Sequence, residues 1–291
     1  MKTHTLLIFT LRKHNLCVYV FKKFHPALMK PFLIIYFSLS FYASNAQDCF
    51  LKNAHAHNDY KHKHPLSDAL QNRFTSIEAD IFLINNQLIV SHTRPIFKKK
   101  KTLEHLYLKP LLDSCLKNNG KVYKNCDESI ILLIDIKTEA SETYEKLKIY
   151  LEKYQSILSK HENGKITFNA VTIILTGNKP YLSVQKETSR NAFIDLSLMN
   201  LDNSLDSSMC LMASTKYSNI LSWKGKGEIP KDEKEKLESL VKEAHLQGKK
   251  VRLWASPENK EVWNELLNCG VDLINTDKLK KLNVFLTERK K

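Results

Sequence analysis

The chain has 291 residues, 43% hydrophobic and 26% charged, with a formal charge of +14. That is enough apolar material for one large core, and it excludes a disordered or low-complexity chain. The first 46 residues hold six Lys or Arg and no acid, so the remainder carries +8; this suits an anionic ligand or a lysine-rich exterior, and scattered lysines without a binding motif argue against nucleic acid.

From the amino end, Pro31 to Tyr42 form an apolar run, preceded by Lys30 and followed by the small-residue stretch Ala43-Ser44-Asn45-Ala46. This is the layout of a secretory signal peptide cleaved near Ala46, and the run is shorter than the about 20 residues of a membrane span. Met29 opens such a peptide unaided. Residues 1–46 therefore read as an upstream extension plus a signal peptide with its true start at Met29, and residues 47–291 as one exported domain, periplasmic or extracellular. Export permits disulfides. Cys115 and Cys126 bracket a polar loop and are the favoured pair, with two separate buried thiols as the alternative.

From residue 50 onward, short apolar runs alternate with longer amphipathic segments, which predicts repeated β-α units. Eight strands are expected, near residues 51–55, 76–83, 130–136, 170–176, 192–196, 209–213, 250–254 and 272–275. The segment 87–91 should hairpin back from the second strand through Asn85-Asn86. Helices are expected over 65–72, 103–116, 141–158, 180–187, 232–247 and 260–267. In the fifth of these, Leu237, Leu240, Val241 and Ala244 make one stripe and Gly248 the stop. The fold class that follows is α/β, a single (β/α)8 TIM-type barrel, whose site lies at the carboxyl ends of the strands.

Reactive side chains gather at those ends. The first strand runs into His55-Ala56-His57-Asn58, the second contains Glu78-Ala79-Asp80, the hairpin ends at His92, and the third carries Asp135-Ile136-Lys137. Alternation turns Glu78 and Asp80 to one face, and Asp135 and Lys137 likewise. Carboxylates inside apolar strands need a partner, and several of them with an amide oxygen suit a hard divalent cation, Mg²⁺ or Ca²⁺. Two imidazoles beside such a cation provide a base for the attacking oxygen and an acid for the leaving one. Lys137 would neutralise phosphoryl charge.

The run HAHNDY, then SIEADIFL, His92, DIK and the tail RLWASPENKEVWNELLNCGVDLINTDKL resemble the phosphatidylinositol phospholipase C-like phosphodiesterases, which include glycerophosphodiester phosphodiesterases. The match is nearest to bacterial relatives of the altered inheritance of mitochondria protein 6 family and covers residues 52–285. It implies a phosphoric diester hydrolase acting on a phospholipid headgroup or glycerophosphodiester, with peripheral membrane contact as a further expectation. It also implies His57 as base or nucleophile, His92 as acid, Lys137 beside the phosphate, and Asn58, Glu78, Asp80 and Asp135 around the cation. His57 is preferred to His55 because it precedes Asn58; His55 and Trp254 are then expected on the substrate side. One departure stands out: Thr93 follows His92 where these families usually have Asp, which removes a carboxylate that would orient the imidazole.

Two rival readings remain. A His-x-His after the first strand also fits an amidohydrolase-like metal hydrolase, which needs later histidines from the middle strands, yet there is none between His161 and His245. Thr93 also suits a weak or inactive barrel that binds phosphorylated ligands. His62 and His64, beside Pro65, read as solvent-facing, and Asp277 as a cap for a helix after Thr276.

Overall fold

Runs of aliphatic residues without polar alternation, such as Ile130 to Ile134, belong to strands buried on both faces. In the computed structural model, which describes residues 50–95, 101–201 and 208–289, such runs form eight parallel strands. They are β1 (Leu51–Ala56), β2 (Phe74–Ile84), β3 (Ile130–Ile136), β4 (Val171–Gly177), β5 (Ala192–Ser197), β6 (Cys210–Lys216), β7 (Lys250–Trp254) and β8 (Leu273–Thr276). Each pairs with its neighbour in chain order. β8 returns to β1 through Ala54 against Ile274 and Ala56 against Thr276, which closes the barrel. The expected barrel is therefore present. The expectations about the signal peptide, Met29 and cleavage lie outside the described residues.

Helices α1 (Ser67–Gln71), α2 (Lys109–Lys117), α3 (Ala140–Lys153), α4 (Tyr181–Gln185), α5 (Lys231–Leu246), α6 (Lys260–Asn268) and α7 (Leu279–Arg289) accompany the strands; none of the described residues between β5 and β6 is helical. α7 is the helix expected after Thr276, and it buries Leu282, Phe285 and Leu286. A small antiparallel sheet of Lys160–Glu162, Lys165–Thr167 and Ser189–Arg190 goes beyond the expected elements, because strands of two or three residues carry too little periodicity to read. Among the described residues no helix is long and apolar enough to cross a membrane.

Two local expectations have clear outcomes. Asn85 and Asn86 both take positive φ, 48° and 61°; this matches the twist of the hairpin that pairs Gln87–Val90 with β2. The cysteine pairing is corrected: Cys115 is a free buried thiol, whereas Cys126 is disulfide-bonded.

The barrel interior changes character along its axis with a period of two. Leu133, Ile174, Phe193, Met212 and Leu273 belong to one apolar cluster. Two residues further along the same strands come Asp135, Thr176, Asp195, Ser214 and Asn275, all polar and pointing the same way. Reactive groups thus stand on a dry apolar floor at the carboxyl end. A cavity of about 530 Å³ opens at the opposite end, where Ile131 and Ile174 line it from beneath that floor.

Candidate active site

Parallel register sets Asp80 of β2 directly beside Asp135 of β3. Glu78, two residues earlier on the same face, completes a group whose ligand atoms all lie within 4.8 Å of one another. Lys137 spans the pair, with Nζ 2.6 Å from Asp135 Oδ2 and 3.3 Å from Asp80 Oδ2. The other oxygens, Asp80 Oδ1 and Asp135 Oδ1, are buried and receive no hydrogen bond from the protein. Buried acceptors of this kind are costly unless something cationic completes them. The donor set is all oxygen, which fits Mg²⁺ or Ca²⁺. Burial raises the Asp135 carboxyl above its ordinary value against the pull of Lys137. Burial opposes the Lys137 charge, but Asp135 and Asp80 outweigh it and raise the ammonium.

Glu78 is tied down from behind. Arg252 Nη1 donates to Glu78 Oε2 at 2.5 Å and to Asn275 Oδ1 at 3.1 Å, with both charged side chains almost wholly buried. His55 joins them, its Nε2 3.0 Å from Glu78 Oε2 and its Nδ1 2.7 Å from Ser76 Oγ. Burial alone would raise Glu78, yet Arg252 and then His55 hold its carboxyl well below the usual range. Burial, and then Arg252, lowers His55 to about 4, so its ring is neutral. One carboxylate oxygen is thus engaged by the barrel wall. His55 has no exposed surface and sits in that wall, underneath the mouth.

The two remaining imidazoles flank the carboxylates. His57 Nδ1 lies 2.8 Å from Asp277 Oδ1 and Asn58 Nδ2 lies 3.0 Å from His57 Nε2. Asp277 assigns the tautomer, because its carboxylate can only accept: Nδ1–H donates to it and the lone pair is left on Nε2, while Asn58 Nδ2 lies near both ring nitrogens, 3.2 Å from Nδ1 and 3.0 Å from Nε2. Burial opposes charge on His57, but Asp277 and Glu78 outweigh it and raise its pKa. His92 is half exposed, its Nδ1 3.3 Å from both Asp80 Oδ2 and Tyr60 Oη. Asp80 and Tyr60 therefore give His92 the orienting contacts that Thr93 does not.

Tyr60 links the two halves: its hydroxyl reaches Asn58 Oδ1 at 2.5 Å and Asp80 Oδ2 at 2.8 Å. Asn58 itself takes a left-handed backbone, φ 48°, a conformation that Asn tolerates well. Asp59, fully buried, accepts the Leu66 N–H and the Tyr107 hydroxyl, which pins the loop that carries His57. His62 is corrected from solvent-facing to half-buried: it bonds the Asp59 and Asp277 carbonyl oxygens, whereas His64 is exposed. Asp277 is no cap, since its carboxylate goes to His57 and the Thr276 hydroxyl accepts the Lys278 N–H. Trp254 stands at the rim, 39% exposed, with Lys216 Nζ 6.0 Å from its ring centre.

Arg252, Tyr60 and Asp277 are the groups around this site to which a sequence reading assigns no chemistry. The signal for Arg252 is alternation: Val251 and Leu253 face outward to helices, which leaves the arginine between them facing inward.

Residues 44–195, just over half of the chain, match the AIM6-like phosphodiesterase domain, and residues 250–280 match the glycerophosphoryl diester phosphodiesterase family. The first segment holds both imidazoles, the three carboxylates and Lys137, and the second holds Arg252, Trp254 and Asp277. The chain is 30% identical to altered inheritance of mitochondria protein 6 of Kluyveromyces lactis over 81% of its own length and 72% of the relative's. It is 29% identical to the protein of that name from Eremothecium gossypii, over 81% and 69%. These curated relatives are fungal, which corrects the bacterial affinity expected from the sequence. A glycerophosphodiester phosphodiesterase structure from Parabacteroides distasonis shares the fold, with TM-score 0.50 and 16% identity, over 83% of this chain and 99% of that one.

Proposed function

Because the chain belongs to the AIM6-like phosphodiesterase family, we propose that it is an exported, cation-dependent phosphoric diester hydrolase acting on a phospholipid headgroup or glycerophosphodiester. The observation that carries this reading is the clustering of Glu78, Asp80 and Asp135, with two unpartnered buried oxygens, between two imidazoles and Lys137. Export is inferred from residues 31–46 alone.

Glu78, Asp80 and Asp135, with Asn58 nearby, would hold Mg²⁺ or Ca²⁺, which supplies charge neutralisation for the phosphoryl oxygens. His57, with Nδ1–H bound to Asp277, carries its lone pair on Nε2, which would take the proton of the attacking hydroxyl, from water or from the substrate itself. As the new P–O bond forms and the old one breaks, protonated His92 gives its proton to the departing oxygen. Asp80 and Tyr60 hold the His92 ring through Nδ1 beforehand. Lys137 adds a fixed positive charge where the phosphate's negative charge grows. Arg252 and His55 act from behind the site by restraining Glu78.

The test is hydrolysis of a generic aryl phosphodiester by the purified protein, first in EDTA and then with Mg²⁺ or Ca²⁺ restored, with His92→Ala as control. Cation-restored turnover that the variant lacks supports the enzyme. Tight cation binding without turnover on any phosphodiester tried argues for a binding role.

A further inference from the structure

The polar layer of the barrel interior holds one acid that the proposed chemistry leaves unused. Asp195 of β5 is fully buried, and alternation turns it to the same interior face as Phe193. Its Oδ2 accepts the Thr176 hydroxyl at 2.9 Å and the Ser214 hydroxyl at 2.5 Å. Its Oδ1 is buried and receives no hydrogen bond from the protein. Two neutral hydroxyls orient a carboxylate, but they do not offset a negative charge in the interior.

The charge that answers Asp195 is Arg252. Parallel register sets Ser214 of β6 directly beside Arg252 of β7, and Ser214 is also the residue that donates to Asp195 on β5. Burial raises the Asp195 carboxyl above its ordinary value, and Arg252 is the strongest of the groups that oppose this, ahead of Ser214, Lys179 and Thr176. Arg252 Nη1 serves Glu78 and Asn275, whereas its Nε is buried and has no acceptor in the protein. The guanidinium thus has one carboxylate in contact and a second within range of its charge. This bears on the cation. In contact with Glu78, Arg252 cancels the charge that Glu78 would offer a metal ion, and Lys137 does the same for one of the two aspartates that it bridges. What is left on Glu78, Asp80 and Asp135 is a single net negative charge, which does not match a divalent ion in a low-dielectric interior. Asp195 supplies the second. It is not one of the clustered ligand groups, so its effect reaches the ion by way of Arg252.

We propose that Asp195 is a positioning residue for the divalent-cation site: it takes up part of the charge of Arg252 and so leaves Glu78 the negative charge with which to hold the ion. The inference rests on the proposed cation-dependent reading and extends that site to β5. It also accounts for an arginine 2.5 Å from a metal ligand, an arrangement that would otherwise work against the ion.

The test is calorimetric titration of Mg²⁺ and of Ca²⁺ into the protein, Asp195→Asn and Ser214→Ala, with melting in EDTA to show that each is folded. Asparagine keeps an oxygen to accept both hydroxyls and removes the charge. Asp195→Asn should raise the Kd about ten- to a hundred-fold, the size expected when one unit charge is removed from the field of a divalent ion. Ser214→Ala keeps the charge and loses one hydrogen bond, and its Kd should stay near that of the wild type. Asp195→Asn/Arg252→Gln removes one charge of each sign and should bind the ion more tightly than Asp195→Asn, which no loss of packing would produce. An unchanged Kd in Asp195→Asn, an equal loss in Ser214→Ala, or a double variant no tighter than Asp195→Asn would each overturn the inference, while binding by the wild type would leave the cation reading intact. A wild type that binds neither ion would overturn both.

Discussion

His57 Nδ1 lies 2.8 Å from Asp277 Oδ1, a contact across 220 residues that joins the end of the first barrel strand to the end of the last. It exists because the sheet closes, and it fixes which ring nitrogen of His57 is left to act as a base. Asp277→Asn should keep the fold but lose the carboxylate that raises the His57 pKa. A base works when deprotonated, so activity rises with pH through that pKa, and the variant's acid limb should move to lower pH. Turnover should fall by about 10- to 100-fold, as for other orienting partners. A pH–rate profile of kcat/KM checks both effects; an unmoved acid limb would dissociate Asp277 from the base.

Arg252 and Glu78 form a buried ion pair whose side chains are 4% and 5% exposed. Removing one partner leaves an uncompensated charge in the barrel interior. Arg252→Met should therefore destabilise by about 3 to 5 kcal/mol, measured by urea unfolding. Arg252→Met/Glu78→Met removes both charges and should recover most of that loss while abolishing cation binding. A single-variant loss under about 1 kcal/mol, the worth of a surface pair, would show that the charges are solvated after all.

The barrel, the hairpin and the carboxylate ends of the strands were legible because they depend on local pattern. Glu78 and Asp80 share a face by alternation, and Asn85-Asn86 is a turn wherever it occurs with positive φ. What could not be read is held by closure. Arg252 follows Lys249 and Lys250, so the run looks like an exposed basic strand end until β7 and β2 face each other across the interior. His62 looked solvent-facing for the same reason, since the Asp277 carbonyl it bonds lies 215 residues away. Thr93 leaves His92 without an orienting carboxylate next to it in sequence, and Asp80 and Tyr60 meet His92 only after the hairpin folds back.

Gly177 ends β4 with φ +72°, and a Cβ there would run into Asp135 Oδ1 and the Ile136 carbonyl. Gly177→Ala should therefore push the Asp135 carboxylate out of place as well as strain the backbone. The expected result is a destabilisation of about 1 to 3 kcal/mol with weakened Mg²⁺ or Ca²⁺ binding by calorimetry. Unchanged cation affinity would mean that Asp135 does not need this close approach.

Asp80 Oδ1 and Asp135 Oδ1 lack partners in the protein, so a bound cation should stabilise the folded state by linkage. At about one hundred times its Kd, Mg²⁺ or Ca²⁺ should add about 2.7 kcal/mol, seen as a rise in Tm that EDTA reverses. Asp80→Asn/Asp135→Asn should melt at the same temperature with and without the ion. A Tm rise that survives in this variant would assign the ion to another site.

His62 offers a stability signal separate from catalysis. Its hydrogen bond to Asp59 outweighs the opposing effect of burial, and bonds to the Asp277 and Asp59 carbonyl oxygens add to it, so its pKa rises from 6.5 to about 9. A raised histidine pKa means that the folded state holds the proton more tightly than the unfolded chain does. The contribution is therefore complete below about pH 6.5, declines above it, and is gone once pH has risen through about 9. Solvent screening reduces its size because the ring is partly exposed. Other groups titrate in the same range, so the informative quantity is the Tm of the protein minus that of His62→Asn, followed from pH 6 to about pH 10. That difference should shrink steadily toward alkaline pH, and a difference independent of pH would mean that His62 is neutral in the folded loop and serves only as a packed, hydrogen-bonded ring.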